Sequence, residues 1–223
     1  MKQRQKRQLT LAAGFVLYFG ALWYFWYTPV VYPLKIFVVL LHELSHATAL
    51  LLTGGAVDSI TLDPAQGGAT WGRGGSRFIT LSAGYLGSLV FGGLLVLGAQ
   101  SKRIRSDVLL GIVGGSVLIL TAVYIRNGFG VAFGILFGLG VLLSSRHLGA
   151  IWSARVLTAL GLTSVGYAIF DIKSDIIDRP EVHSDAFMLS QLTGIPTIFW
   201  GILWIGLGVA AATLLLRRAI NNA

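Results

Sequence analysis

The stretch that decides the fold spans residues 34–52 and reads LKIFVVLLHELSHATALLL. It is long and apolar enough to cross a bilayer as a helix, since a span needs about 20 largely apolar residues. Near its middle it carries His42, Glu43 and His46 in the spacing H-E-x-x-H. Ionisable groups at such a depth are costly unless they are paired or functional. The sequence therefore predicts a membrane-embedded helix that carries a polar site.

The composition of the whole chain points the same way. Of its 223 residues, 55% are hydrophobic and 12% are charged, and the mean hydropathy is +0.76. A soluble globular domain usually has about 25% charged residues. A water-soluble enzyme and a disordered chain are therefore excluded, and a membrane protein is indicated. The chain has no cysteine, so a bound metal would have to be held by histidine and carboxylate side chains.

The apolar runs predict an all-α polytopic membrane protein with six to seven transmembrane helices. Helix is expected because open sheet edges cannot face lipid. We expect one integral membrane domain over residues 1–223, in which residues 34–98 and 171–195 build the site. The candidate spans are residues 9–27, 34–52, 78–97, 108–125, 128–143, 150–170 and 196–216. The fourth and fifth are short and adjacent, which predicts a tight hairpin or a partly re-entrant pair.

The basic residues indicate lipid rather than nucleic acid as a partner. The net charge is +8, but the cations stand in short clusters beside apolar runs, around residues 2–7, 102–105 and 217–218. Such clusters match lipid headgroups better than a phosphate backbone. We expect a bacterial plasma membrane protein with a cytoplasmic N-terminus. A count of seven spans would then put residues 102–105 outside, against the tendency of cations to remain in the cytoplasm.

Two stretches interrupt the helical pattern. Residues 53–77 are rich in glycine, and Ile60 and Leu62 alternate with polar neighbours, which predicts a short β-hairpin or re-entrant segment after the helix that carries H-E-x-x-H. Such a hairpin could present an edge to an extended peptide. Residues 171–195 hold most of the acidic side chains. This segment is therefore a better source of a further metal ligand than the acidic residues elsewhere in the chain.

The spacing of H-E-x-x-H favours zinc hydrolysis. Residues four apart on a helix differ by about 40° in direction and about 6 Å in height, so His42 and His46 can reach one ion. Glu43 stands beside them, where it can act on a water molecule without being a ligand. A catalytic zinc ion also needs a third protein ligand.

The spacing of the acidic residues leaves that third ligand open. Asp171 shares one helical face with the next two aspartates, at positions 175 and 178, and Asp185 follows Ser184 at the start of a short helix. Ser184 is also a typical helix cap, and an aspartate is favoured in a first turn without any metal. Glu181 is the other glutamate of the chain, and the remaining histidines are His147 and His183.

Several motifs resemble the M50 intramembrane zinc metallopeptidases of the site-2 protease clan, and more narrowly the M50B-like group. They are HELSHA at 42–47, AGYLGS at 83–88, SDA at 184–186 and TGIP at 193–196. The resemblance implies zinc bound by His42 and His46, Glu43 as the general base, and Asp185 as third ligand. From spacing, Asp171 stays an alternative ligand or a residue that supports the ligands from behind. The chain departs from the better-known site-2 proteases in having no Asp-Gly pair.

We therefore expect an intramembrane zinc metalloendopeptidase that hydrolyses membrane-anchored proteins or peptides. One alternative is a non-catalytic metal-binding scaffold or a transporter, because clustered acidic groups near a membrane face also serve transport. Another is a zinc hydrolase of lipids or prenylated peptides with Glu181 as third ligand. No nucleic-acid partner is expected.

Overall fold

The computed structural model describes residues 3–172 and 184–221, which form eight helices and two strands. In chain order they are α1 (Gln3–Tyr24), α2 (Tyr32–Leu52), β1 (Ala56–Leu62), β2 (Gly68–Arg73), α3 (Arg77–Ala99), α4 (Ser106–Tyr124), α5 (Gly128–His147), α6 (Gly149–Ile172), α7 (Asp185–Thr193) and α8 (Thr197–Asn221).

The prediction of an all-α polytopic protein is confirmed. Six of the described helices, namely α2 to α6 and α8, are long and apolar enough to cross a membrane. α1 has 22 residues but is not among the six, because its first turns read QRQKRQ and lower its hydropathy. α2 is the most buried of the six, which places the H-E-x-x-H segment at the centre of the bundle.

The predicted β-hairpin is present. β1 and β2 are antiparallel, with Ile60 opposite Thr70 and Leu62 opposite Gly68. Ile60 and Leu62 point into the core, as their alternation with polar neighbours predicts. The side-chain amide of Asn127 donates to Leu62 O at 2.7 Å and accepts from Leu62 N at 3.1 Å. The outer edge of β1 is therefore fixed to the connection between α4 and α5.

α4 and α5 form the tight hairpin that their short connection predicts. Their packing is antiparallel: Gly134 lies against the Thr121 side chain, and Gly114 lies against the backbone of Leu142. Each of the two helices is long enough to span a bilayer. Small residues at the contact let the two backbones approach closely.

α2, α3 and α6 alternate in direction. The Ser164 hydroxyl of α6 donates to Ser88 O of α3 at 2.9 Å. Later in α6 but earlier in α3, the Tyr85 hydroxyl donates to Asp171 Oδ2 at 3.0 Å. α3 is therefore antiparallel to α6. It is also antiparallel to α2, because Gly84 faces His42 whereas the earlier residue Thr80 contacts His46. α2 and α6 therefore run in parallel.

α1 breaks this alternation. The Tyr18 hydroxyl donates to Ala159 O at 2.8 Å, and the Trp23 ring lies 5.3 Å from the Phe170 ring. α1 therefore runs parallel to α6 and, as a consequence, in the same direction as α2. The successive apolar segments of this chain therefore do not alternate strictly in direction.

The N-terminal cations, the loop after α3 and the end of α8 meet at one end of the bundle. Gln8 Nε2 donates to Ile220 O at 3.3 Å. Arg7, Lys102, Arg103 and Arg218 line one cavity there. We call this the basic end, and the opposite end, which carries β1 and β2, the hairpin end. A count of seven spans would have put the N-terminal cations and residues 102–105 on opposite sides of the membrane. In the structure both groups lie at the same end, so this conflict does not arise.

Candidate metal centre

The two histidines of α2 face one point. Because they are one turn apart, their rings lie 4.6 Å apart between centroids, with an angle of 79° between their planes. The ligand atoms of His42, Glu43 and His46 all lie within 4.8 Å of one another. His46 and Glu43 are buried, and the His42 side chain is 13% exposed. The helix thus gathers two imidazoles and a carboxylate in a largely enclosed space.

α7 brings a further carboxylate between the imidazoles. Asp185 Oδ2 lies 3.0 Å from His42 Nε2 and 3.2 Å from His46 Nε2. α7 begins at this aspartate because the Ser184 side chain caps the helix, accepting a hydrogen bond from the Phe187 amide. The cap and the approach to the histidines coexist, so the capping interpretation of Ser184 does not exclude Asp185 as a ligand.

The donor set fits a zinc ion. Asp185 Oδ2 is buried and receives no aligned hydrogen bond from any part of the chain that the structure describes, although two imidazole nitrogens are near. Burial alone would raise the pKa of this carboxyl, but the neighbouring His46 and His42 lower it below its ordinary value. Two imidazoles and an ionised aspartate are a ligand set that zinc accepts in catalytic sites.

The backbone of α3 orients one of the imidazoles. His46 Nδ1 lies 2.7 Å from Thr80 O. A carbonyl oxygen can only accept a hydrogen bond, so Nδ1 carries the proton in this contact. In the neutral imidazole Nε2 is then the nitrogen with the lone pair, and it faces Asp185. Outer contacts of this kind fix the tautomer and the ring orientation of metal-binding histidines.

β2 holds Glu43. Thr70 Oγ1 lies 2.8 Å from Glu43 Oε2 and 2.9 Å from Glu43 O, within hydrogen-bond distance of both. A Cβ at Gly68 would lie 2.8 Å from Glu43 Oε1, so this strand passes directly over the carboxylate. The hairpin therefore fixes Glu43 beside the imidazoles and away from bulk water.

Glycines allow α3 to approach α2 closely. A Cβ at Gly84 would clash with His42 Nε2 and would lie 2.7 Å from Asp185 Oδ2. At Gly87 it would clash with the Ser45 side chain. The first of these two positions is part of the metal centre itself, since any side chain there would enter the space between the ligand atoms.

Asp171 lines the cleft and is linked to His42 through Tyr85. Its Oδ2 accepts a hydrogen bond from the Tyr85 hydroxyl. The Tyr85 ring in turn packs edge-on against His42, at 4.7 Å between centroids. His147 ends α5 at the basic end, far from the site. Asp175, Asp178, Glu181 and His183 lie outside the described residues.

A cleft opens onto these groups. It has a volume of about 440 Å³ and is bordered by α2, α3, α7 and residues 66–71 at the tip and on the β2 side of the hairpin. Within it stand His42, Glu43, His46 and Asp185. The arrangement offers a space in which a peptide can lie between the β2 strand and the candidate metal ligands.

Three contributors escaped the sequence analysis. Thr70 and Tyr85 each donate a hydrogen bond to a carboxylate of the site, and Thr80 acts through its backbone oxygen. Tyr85 stands within AGYLGS, and that motif could have indicated it. Thr80 could not be predicted, because any residue type offers the same backbone oxygen. Thr70 could not be predicted because its contact with Glu43 depends on how the hairpin folds over α2.

No curated protein and no solved structure gives a significant match to the chain. A family model described as Peptidase M50B-like matches residues 15–215. The matched range includes α2 with its H-E-x-x-H segment, the hairpin over Glu43 and the start of α7. The chain therefore belongs to the Peptidase M50B-like family of M50 membrane metallopeptidases.

Proposed function

We propose that the chain is an intramembrane zinc metalloendopeptidase that cleaves membrane-anchored proteins or peptides. One observation carries this proposal: His42 Nε2, His46 Nε2 and Asp185 Oδ2 converge, with Glu43 beside them, in an open cleft. The whole chain, residues 1–223, then acts as one integral membrane domain.

In this proposal His42, His46 and Asp185 hold the zinc ion, and Asp171 positions His42 through Tyr85. A bound zinc ion would supply Lewis-acid activation of water and of the scissile carbonyl. The aspartate also offsets charge, because a divalent cation is costly in a medium of low dielectric. The Asp171–Tyr85 contact limits how the His42 ring can turn.

Glu43 moves the proton. Its carboxylate accepts a proton from the attacking water and then delivers that proton to the leaving amide nitrogen. Thr70 keeps Oε2 in place, which leaves Oε1 for the proton. The burial of Glu43 excludes bulk water that would compete for this transfer.

The hairpin supports an extended substrate. The outer edge of β1 is occupied by Asn127 and by a bridge between Ile60 and Ile125. β2 has no second strand partner among the described residues, and it borders the cleft. A peptide can add to such an edge through its main chain. A helical substrate must first unwind, because its carbonyls are held within its own hydrogen bonds.

Replacement of Glu43 by glutamine tests the proposal. The substrates are single-span model peptides with a fluorophore and a quencher on either side of the cleaved region. We expect Glu43→Gln to retain zinc and to lose about 10²–10⁴-fold in cleavage rate, the range of general acid–base catalysis. Asp58→Asn removes an exposed carboxylate of the same hairpin and should leave the rate unchanged.

The alternatives predict different outcomes. A metal-binding scaffold or a transporter would show no cleavage in the wild type and would tolerate Glu43→Gln. A hydrolase with Glu181 as third ligand would lose zinc on Glu181→Ala but retain it on Asp185→Ala. Wild-type rates of cleavage by the Glu43→Gln protein would refute the proposed mechanism.

A further inference from the structure

The basic end of the bundle carries a large cationic cavity. It measures about 880 Å³ and lies between the start of α1, the end of α3 with its following loop, and the end of α8. Arg7, Lys102, Arg103 and Arg218 contribute its charge, and no acidic residue lines it. We call it the basic cleft.

An apolar groove continues from the basic cleft into the bundle. It measures about 400 Å³ and lies between α1, α3, α6 and α8. Leu11, Gln100 and Ala219 line both cavities, so the two adjoin. The groove wall is mostly apolar and includes Phe15 and Val96, although Arg155 also lines it. A cationic space thus opens onto an apolar one between four helices of the bundle.

The cations of the basic cleft have no carboxylate partner in the part of the chain that the structure describes. Within residues 3–172 and 184–221, none of the four forms an ion pair with a carboxylate. The next cation of the same loop differs, because Arg105 Nη2 lies 2.7 Å from Asp107 Oδ2. The positive charge of the four is therefore not offset by a carboxylate among the described residues.

We propose that this end binds one anionic phospholipid, with its phosphate in the basic cleft and an acyl chain in the apolar groove. Lysine and arginine side chains bind phosphate oxygens strongly, and basic pockets between membrane helices select anionic headgroups. The acyl chain fills the groove, which a soluble anion or an acidic peptide would leave empty. The lipid lies at the opposite end from the metal centre, so the proposal is independent of peptidase activity.

Lipid binding to the purified full-length protein tests this. The protein is stripped of lipid in a maltoside detergent and titrated with dioleoylphosphatidylglycerol, while bound lipid is counted by native mass spectrometry. We expect one saturable site that binds dioleoylphosphatidylcholine at least ten-fold more weakly. Zinc content serves as a check that each variant is folded.

Two double variants remove the same charge from the same end. Lys102→Gln with Arg103→Gln changes the basic cleft, and we expect at least a ten-fold loss in affinity for phosphatidylglycerol. Arg4→Gln with Lys6→Gln leaves the residues that line the cleft unchanged, and its effect should stay below two-fold. Equal losses in the two double variants would mean diffuse attraction to the surface and would overturn the proposal.

A substitution in the groove separates the acyl chain from the headgroup. Gly14 borders the groove, and a Cβ there meets nothing within 4 Å, so the backbone accommodates a side chain and Gly14→Leu adds volume at the groove wall. We expect at least a ten-fold loss in lipid affinity at unchanged charge. Unchanged affinity in Gly14→Leu would overturn the proposal, as would binding of glycerol 3-phosphate alone as tightly as the whole lipid.

Discussion

Gly84 is the residue at which the metal centre tolerates least volume. It faces His42 and Asp185 from α3, and even one added methyl group would occupy the space between their ligand atoms. Alanine favours a helix over glycine by about 0.5–1 kcal/mol, so propensity alone would make Gly84→Ala stabilising. The steric effect and the propensity effect therefore have opposite signs at this position.

We expect Gly84→Ala to weaken zinc binding at least ten-fold and to reduce cleavage in parallel. Gly93→Ala is the matched control, because Gly93 lies on the same helix and an added Cβ there meets nothing within 4 Å. Zinc titration of the two variants measures the difference. The same zinc affinity in both variants would show that the close approach of α3 has no role in the site.

The sequence could predict some residues of the site and not others. The helical period alone brings His42 and His46 together, so the H-E-x-x-H spacing was sufficient to predict that their imidazoles converge. Asp171 and Asp185 could not be separated by spacing, because their positions depend on how α6 and α7 pack against α3. In the structure one contacts Tyr85 and the other contacts both imidazoles. The resemblance to M50B-like peptidases favoured Asp185, and its role as a zinc ligand stays a prediction.

At the scale of elements, the hairpin connects the Glu43 carboxylate to the open side of the cleft. Thr70 stands on β2 and contacts Glu43, while Asn127 fixes β1 from the other side. The alternation around Ile60 and Leu62 could predict the strands. It could not predict the partner of the β1 edge, since residues 125–127 are distant in sequence and carry no strand pattern.

We expect Thr70→Val to lower the cleavage rate about ten-fold while zinc content stays at the wild-type level. Valine has nearly the same shape, but it cannot donate to Glu43, and a hydrogen bond to a charged group contributes about 1.5–3 kcal/mol. Thr61→Val is the control on β1, where the hydroxyl contacts only a backbone oxygen at 3.4 Å. Full activity in Thr70→Val would mean that the hairpin does not position Glu43.

At the scale of the whole molecule, the parallel course of α1 and α2 decides the topology. It brings the N-terminal cations, residues 101–105 and the end of α8 to one side, where most of the described cations collect. The tendency of cations to remain in the cytoplasm then favours the basic end as the cytoplasmic end. Hydropathy could predict the apolar segments but not this parallel pair, which depends on contacts with α6.

Cysteine labelling tests this orientation cleanly, because the chain has no cysteine of its own. Ala56 is exposed at the start of β1, just after α2 ends, and Ala150 is exposed at the start of α6, at the basic end. We expect a membrane-impermeant thiol reagent to label Ala56→Cys in intact cells and Ala150→Cys only in inverted membrane vesicles. The reverse pattern would place the N-terminus outside.

The bundle, its hairpin and its short seventh helix all serve to bring two imidazoles and one aspartate together. The most direct test is the zinc content of the purified protein beside the Asp185→Ala and Asp171→Ala variants, each verified as folded by circular dichroism. We predict about one zinc ion per chain in the wild type and in Asp171→Ala, and a loss of most of it in Asp185→Ala. A full complement of zinc in Asp185→Ala, or none in the wild type, would contradict the account.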